Sequence, residues 1–376
     1  MRVGVLGGGQ LARMMVPAAV ELGIDVAVLG EGPDASARIA VTHIGDVRDG
    51  ATVLAFARDV DVLTFDHEHV PQPVLAALVE AGVPVRPGPG ALAHAQDKLV
   101  LRRRMAELGV PQPVWAEVGD EAELDAFLAS TGGRAVVKTP RGGYDGKGVR
   151  IVTSGAEAAD WLADGPLLAE ELVDFRRELA QQVARRPSGE IVAWPLVETV
   201  QGGGVCREVI APAPRSAGRI ADLACDIAMT VAEALDVTGV LAVELFETTD
   251  QRVLVNELAM RPHNSGHWTI DGSTTSQFEQ HLRAVLDLPL GATGCRDRWS
   301  VMVNVLGGPA DGDLAGRVPA ALAAWPTAKL HLYGKAPRPG RKVGHVTAGG
   351  EDLDDVAFQA RSAAAAFDDP DPEAGS

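Results

Sequence analysis

The sequence predicts a mixed architecture, α/β at the N-terminus and α+β beyond it, closed by a small C-terminal region. Three observations predict it. Up to residue 112, short apolar runs alternate with helical patterns at the spacing of a parallel sheet. From Leu167 to Ala211 strand patterns follow one another with no helix between them, which favours antiparallel pairing. At 376 residues the chain is too long for one ordinary core. The expected regions are 1–112, 113–296 and 297–367, with 368–376 a disordered, acidic and proline-rich tail.

The elements follow in order. Val3–Leu6 is a short apolar strand, Gly7-Gly8-Gly9 a turn, and Gln10 to Leu22 a helix. Strands are expected at Asp25–Leu29 and Val60–Phe65, with helices at 51–58 and 72–81. A single long helix is expected over 90–109, ended by Gly109 and followed by the linker Val110-Pro111-Gln112-Pro113. The second region brings a helix over Glu121–Ser130, a strand at Ala135–Lys138, a glycine-rich loop, and a long helix from Ser216 to Leu235. Two strands then flank Thr248-Thr249-Asp250-Gln251, a polar loop covers Leu258–Trp268, and a helix covers 275–287. Strands near 300–305 and 328–332 belong to the third region.

Composition narrows the function. Hydrophobic residues make up 46% and charged residues 23%, as in a soluble globular protein, and aromatics are only 4%, so the core is aliphatic. No apolar run approaches the ~20 residues of a membrane span. Met1-Arg2-Val3-Gly4 leads straight into a strand pattern, without a basic and apolar leader, and a cytoplasmic location is expected. Cys206, Cys225 and Cys295 are too scattered for a disulfide framework or a cysteine-rich zinc site. A net charge of −17 argues against nucleic acid or an acidic membrane as partner. Anionic substrates would need cations gathered locally.

Gly9, Gln10 and Leu11 stand at a strand-to-helix junction, where backbone amides can approach a phosphate. Glu31 follows the second strand, where a ribose-binding acid would sit, so a dinucleotide site stays open beside other phosphate ligands and a plain tight turn. The segment from Lys138 through Arg141, Gly142, Gly143, Tyr144, Asp145, Gly146, Lys147 and Gly148 is more specific. Its glycines can drape amides over a polyphosphate while its cations neutralise it. A bare hairpin turn would leave Lys138, at the end of an apolar strand, unexplained. If Asp250-Gln251 is a two-residue turn, Glu244 falls opposite Glu257 with Cβ atoms ~5 Å apart. Such a carboxylate pair needs a proton or a cation between its members, and Mg²⁺ suits hard oxygen ligands beside a polyphosphate, with Asn256 adjacent. A turn longer by one residue would put the two glutamates on opposite faces. His263 and His267 have a zinc-like spacing, but Pro262, Asn264, Ser265 and Gly266 contradict the helix that would align them. Lys335, Arg338, Arg341 and Lys342 form a basic cluster that reads equally as a solvated turn or a phosphate loop.

In this order the motifs resemble the ATP-grasp superfamily, and within it the N5-carboxyaminoimidazole ribonucleotide synthetases. The resemblance spans nearly the whole chain. Its most discriminating stretches are Gly142–Gly148, Asn256–Trp268 and the run from Arg338 to His345. It implies an ATP-grasp fold between a biotin-carboxylase-like N-terminal α/β domain and a small C-terminal domain. Lys98 and Lys138 would approach the ATP phosphates, Glu170, Glu171, Leu172 and Val173 would line the adenine site, and Glu178 would bind ribose. Glu244 and Glu257 would hold Mg²⁺.

The resemblance further implies that ATP and bicarbonate give carboxyphosphate, which carboxylates 5-aminoimidazole ribonucleotide, in a homodimer. Tyr144, Asp145, Arg261, His263 and Asn264 are candidates for the bicarbonate and aminoimidazole end, with the general base open among Glu68, Asp145 and His263. Glu68, Ser265, Lys335, Arg341 and Lys342 join Gly9–Leu11 as ribonucleotide contacts. Some positions depart from the family pattern. Lys98 stands where arginine is frequent, Gln201 where histidine is common, and Phe65-Asp66-His67-Glu68-His69-Val70 varies on a more acidic, asparagine-containing pattern. Formate-dependent glycinamide ribonucleotide transformylase and biotin carboxylase share the ATP machinery and are rivals within the class. A nicotinamide-dependent dehydrogenase is the rival outside it, and it leaves the 138–148 loop and the glutamate pair without a role.

Overall fold

In the computed structural model, residues 1–143, 146–216 and 218–368 are described; Tyr144, Asp145 and nearly all of the expected tail lie outside them. The N-terminal region is a four-stranded parallel sheet built from β1 (Arg2–Leu6), β2 (Asp25–Gly30), β3 (Val41–Ile44) and β4 (Val62–Phe65) in the order β3-β2-β1-β4. The helix Gln10–Leu22 starts and ends where its apolar period predicts, burying Leu11, Ala12, Met15, Ala18 and Ala19. Strand β3 escapes the sequence pattern because it is an edge strand with no buried residue to mark a period.

Strands β5 (Trp115–Val118), β6 (Ala135–Lys138), β7 (Val149–Val152) and β8 (Leu167–Glu171) form a second, antiparallel sheet in the order β5-β8-β6-β7. The helix Glu121–Ser130 lies on it, sinking Leu124, Phe127 and Leu128 among Val118, Ala135, Val137 and Val152. Asp120 caps that helix by accepting from the Glu123 amide at 2.8 Å.

The third sheet is the largest. It comprises β9 (Phe175–Arg185), β10 (Ile191–Ala193), β11 (Val197–Gly202), β12 (Val205–Ala211), β13 (Gly239–Thr248), β14 (Val253–Ala259), β15 (Trp299–Leu306), β16 (Lys329–Leu332) and β17 (Lys342–Gly350). Its order is β14-β13-β9-β11-β12-β15-β17-β16, with β10 on β9. The C-terminal strands thus continue the central sheet, since β15 pairs with β12 from Glu208↔Val303 to Ala211↔Ser300. No helix among the described residues is long and apolar enough to cross a membrane.

Two expectations are corrected. The helix predicted over 90–109 is two helices, Pro89–Gln96 and Lys98–Glu107. Asp97 breaks it: its backbone is extended (φ −136°, ψ 112°) and its carboxylate caps the second helix through the Leu99 and Val100 amides. The Lys98 amide donates to the Pro140 carbonyl, which ties this helix start to the glycine-rich loop.

The hairpin register is the second correction. Gln251 adopts a left-handed φ of 64°, and Thr248 closes on Arg252 rather than Thr249 on Arg252. The pairs Glu247↔Val253, Phe246↔Leu254 and Leu245↔Val255 are therefore one residue off the two-residue-turn register. A β-bulge then leaves Asn256 without a partner in the ladder and restores Glu244↔Glu257. The expected pair is present, reached by a different turn and a compensating bulge.

Because Asp97 both caps a helix and receives Arg141 at 2.8 Å, Asp97→Ala should destabilise the protein by about 1 kcal/mol. Urea denaturation of the purified variant measures this, and a midpoint equal to wild type would contradict it.

Candidate active site

A cavity of about 1050 Å³ opens between the second and third sheets and reaches the N-terminal region. At one end Lys138, the last residue of β6, is buried and lies 2.8 Å from Glu170 of β8. Its Nζ also donates to the Asn256 side chain at 3.0 Å. Glu170 receives a second cation, Arg102, whose guanidinium is 1% exposed and also donates to the Val255 and Asn256 carbonyls. Burial works to raise the Glu170 carboxyl, but Lys138 and Arg102 outweigh it and hold the group below its ordinary range.

The remaining residues expected at the nucleotide follow around this group. Lys98, at the start of its helix, approaches Glu257 at 3.8 Å. Gly143, Gly146, Glu171, Leu172, Val173 and Glu178 line the cavity, and Gln201 does too. A Cβ on Gly143 would lie 2.7 Å from the Lys147 carbonyl oxygen, so the loop's close fold requires glycine there. Gly148 closes the loop onto β7, while the Lys147 side chain is exposed outside the lining. Phe175 and Phe246, stacked at 4.8 Å, supply an apolar wall that sequence reasoning missed. The Glu178 carboxyl is pushed up to about 7 by burial and by the neighbouring Glu244 charge.

At the other end Arg261 holds Glu68 at 2.7 Å, and His263 Nε2 lies 3.2 Å from Glu244. Burial alone would raise the Glu244 carboxyl; the His263 hydrogen bond, with Lys342 and Arg261 beyond it, holds it below the usual range. His263 Nδ1 meets Ser265 Oγ at 2.9 Å. Asn264 exchanges two amide hydrogen bonds with Asn304 of β15, at 2.8 and 2.9 Å. Sequence reasoning also missed Asn304, although it is the single polar residue in the run Val301-Met302-Val303-Asn304-Val305. His263 and His267 diverge, His267 being fully buried against Gln277.

The N-terminal turn and the basic cluster lie outside this cavity's lining, Lys342 excepted, but meet each other. Lys335 Nζ donates to the Gln10 side chain at 2.6 Å. Leu11 is buried in the core of the first region. Gly9 is obligatory for a local reason, since a Cβ there would stand 1.9 Å from Asp66 Oδ2. Two nearby amides are taken by the protein's own carboxylates: Asp66 accepts from Ala12, inside the helix, at 2.8 Å, and Glu31 from Gly8 of the turn at 3.3 Å. Arg341 turns back on its own loop, donating to the Ala336 carbonyl at 3.2 Å.

Two antiparallel sheets gripping a cavity, with a buried lysine on one and paired glutamates on the other, define an ATP-grasp protein. The ATP-grasp domain model matches residues 103–278, flanked by the ribonucleotide synthetase preATP-grasp domain at 1–96 and the phosphoribosylaminoimidazole carboxylase C-terminal domain at 300–359. The N5-carboxyaminoimidazole ribonucleotide synthase of Mycobacterium tuberculosis (strain H37Rv) is 52% identical over 96% of this chain and 86% of its own length. That of Corynebacterium ammoniagenes is 47% identical over 96% and 91%. Among solved structures, the Thermus thermophilus synthetase superposes with a TM-score of 0.88 at 38% identity, covering 98% of this chain and 99% of that one. The Aspergillus clavatus synthase, solved with ADP and 5-aminoimidazole ribonucleotide, gives 0.88 at 33%, covering 97% and 98%. The chain belongs to the N5-carboxyaminoimidazole ribonucleotide synthase family.

Removing Glu170 would leave Lys138 and Arg102 buried without their shared counter-charge. Glu170→Leu should therefore destabilise the fold by about 3–5 kcal/mol, read as a lowered guanidinium midpoint; a loss below about 1 kcal/mol would show that the group is not held as the geometry indicates.

Proposed function

We propose that the chain is an ATP-dependent ligase that carboxylates 5-aminoimidazole ribonucleotide to N5-carboxyaminoimidazole ribonucleotide in purine biosynthesis, with bicarbonate as the carbon source and ADP and phosphate as products. The observation that carries this reading is the single cavity joining the Lys138–Asn256–Glu257 group to the Glu68–Arg261–His263 group. A phosphoryl donor at the first and an amine acceptor at the second could share an intermediate without releasing it to water. The family relationship supplies the identity of the two ligands.

In this reading Lys98 and Lys138 neutralise the ATP phosphates, and the amides from Gly143 through Gly148 fold over them. Phe175, Phe246, Leu172 and Val173 enclose the base, and Glu178 takes the ribose. Glu244 and Glu257, opposed across the β13/β14 ladder, present hard carboxylate oxygens to the cavity beside the Asn256 amide, a donor set that fits Mg²⁺. Bound there, the ion would offset charge accumulating on the transferred phosphoryl group.

Bicarbonate oxygen attacks the γ-phosphorus, the bond to the ADP oxygen breaks, and carboxyphosphate forms. The 5-amino nitrogen then takes the carboxyl carbon, phosphate leaves, and a base removes the amine proton. His263 and Glu68 are the proposed candidates for the acceptor end. Tyr144 and Asp145, outside the described residues, complete that set by family resemblance alone, as do a cytoplasmic location and a homodimer. The Lys335–Gln10 contact, with Lys342, Ser265 and Asn264 nearer the cavity, is the proposed reader of the ribonucleotide; Arg341 would have to leave its loop carbonyl to join it.

ADP release should require both bicarbonate and 5-aminoimidazole ribonucleotide; release supported equally by glycinamide ribonucleotide would refute the assignment. For the metal pair, Glu257→Gln should lower turnover at limiting Mg²⁺ by about 10–100-fold while the protein remains folded. Near-normal turnover would remove Glu257 from the metal.

A further inference from the structure

We propose that Arg102 is a positioning residue for the metal pair: by clamping the bulge at Asn256, it sets Glu257 on the same face as Glu244. This rests on the assignment of those two glutamates to Mg²⁺ above. The turn at 249–251 fixes a register in which Leu245 faces Val255, and continuing it would put Glu244 opposite Asn256. Glu257 would then point to the other face of the sheet, because side chains alternate along a strand. Only the bulge between Val255 and Glu257 brings the two carboxylates into opposition. A bulge interrupts the ladder and leaves its extra residue unpaired, so the support that steadies that residue has to be sought outside the ladder.

Arg102 supplies that support. Its Nη1 donates to the Val255 carbonyl at 3.1 Å and its Nη2 to the Asn256 carbonyl at 2.8 Å, so the two ends of the fork hold successive carbonyls at the bulge. Its Nε binds Glu170, which fixes the plane of the guanidinium. Lys138, from the same carboxylate, reaches the Asn256 side chain. The bulged residue is thus held by its carbonyl and by its side chain, both through partners of Glu170. Arg102 comes from the helix Lys98–Glu107, outside both strands of the hairpin, and at 1% exposure it does not reach the cavity itself. It acts on the reaction through where Glu257 stands.

Arginine is required because the task needs a planar fork with three donors in fixed directions. Lysine can keep the charge against Glu170 but cannot bind both carbonyls in the same way. The test therefore uses Arg102→Lys in the full chain, with Arg102→Met as the harsher variant. ATP binding is measured by calorimetry in chelator and in excess Mg²⁺, and the free Mg²⁺ giving half-maximal ADP release is measured alongside. For Arg102→Lys we expect metal-free ATP affinity to stay essentially at the wild-type value, while the Mg²⁺ requirement rises by ~10–100-fold. The tightening of ATP binding by Mg²⁺ should largely disappear. Wild-type Mg²⁺ half-saturation in the folded lysine variant would overturn the proposal. Equal loss of ATP affinity with and without Mg²⁺ would also overturn it, by showing a general disturbance of the nucleotide site. A lysine variant that does not fold would overturn it as well, since the arginine would then hold the fold and not the metal pair. If wild-type ADP release and ATP binding are both indifferent to Mg²⁺, the metal assignment fails first, which separates that failure from this one.

Discussion

Everything around the cavity depends on one buried carboxylate placed between two cations. Glu170, on β8, binds Lys138 from β6 and Arg102 from the helix Lys98–Glu107, and all three side chains are nearly or wholly buried. Each charge would be costly alone in that position, and the group is stable only as a set. Its spatial consequence matters more than its energy. The N-terminal region's last helix, the second sheet and the β14 edge of the third meet at this point. The set carries one more positive than negative charge, and Lys138 and Glu170 are its members that line the cavity.

Much of this organisation can be read from the sequence, and the failures are physically specific. The helix Gln10–Leu22 and the strand Ala135–Lys138 are legible because period, turn residues and burial agree. The pattern over 90–109 misleads because Asp97 looks like an interior residue, when its carboxylate satisfies amides that an uninterrupted helix would not leave open. In the hairpin, a left-handed Gln251 lengthens the turn by one residue and a bulge shifts the strand back. No one-dimensional pattern records two offsets that cancel. Arg102 is lost in the run Arg102-Arg103-Arg104, which reads as a solvated face. The signal that could have found it is its place between Leu99 and Met105, three residues from each on the buried stripe of the helix.

The glycine turn shows how a correct pattern can have a different cause. Gly7-Gly8-Gly9 before a helix suggests amides waiting for a phosphate, yet Asp66 and Glu31 already accept from Ala12 and Gly8. Gly9 is glycine because Asp66 stands where its Cβ would be. Burial raises the Asp66 carboxyl, although Ala12, His67, Arg261 and Lys335 oppose this. The start of this helix therefore carries acidic groups of its own. Cations that other segments bring offset them, and Lys335 on Gln10 is such a cation.

The same argument extends to the cavity as a whole. In a chain of net charge −17, several of the cations lining it are engaged by carboxylates: Lys138 by Glu170, Lys98 by Glu257, and Arg261 by Glu68. His263 stands likewise against Glu244. A polyphosphate entering such a site would meet lysines that already have carboxylate partners, so its binding is eased where these pairs change partners. The exposed pairs can do so at little cost, because screening makes them weak. Lys98 and Glu257, 3.8 Å apart with side chains 15% and 40% exposed, come nearest to that kind. Glu170 is not, since separating it from Lys138 and Arg102 would leave charge uncompensated in the interior. The cavity therefore divides into a fixed part, which sets geometry, and a looser part, in which, under the proposed function, Lys98 would turn to phosphate as Glu257 turns to metal. The bulge at Asn256 lies where the two parts join, one residue from Glu257 and directly bonded to the buried group.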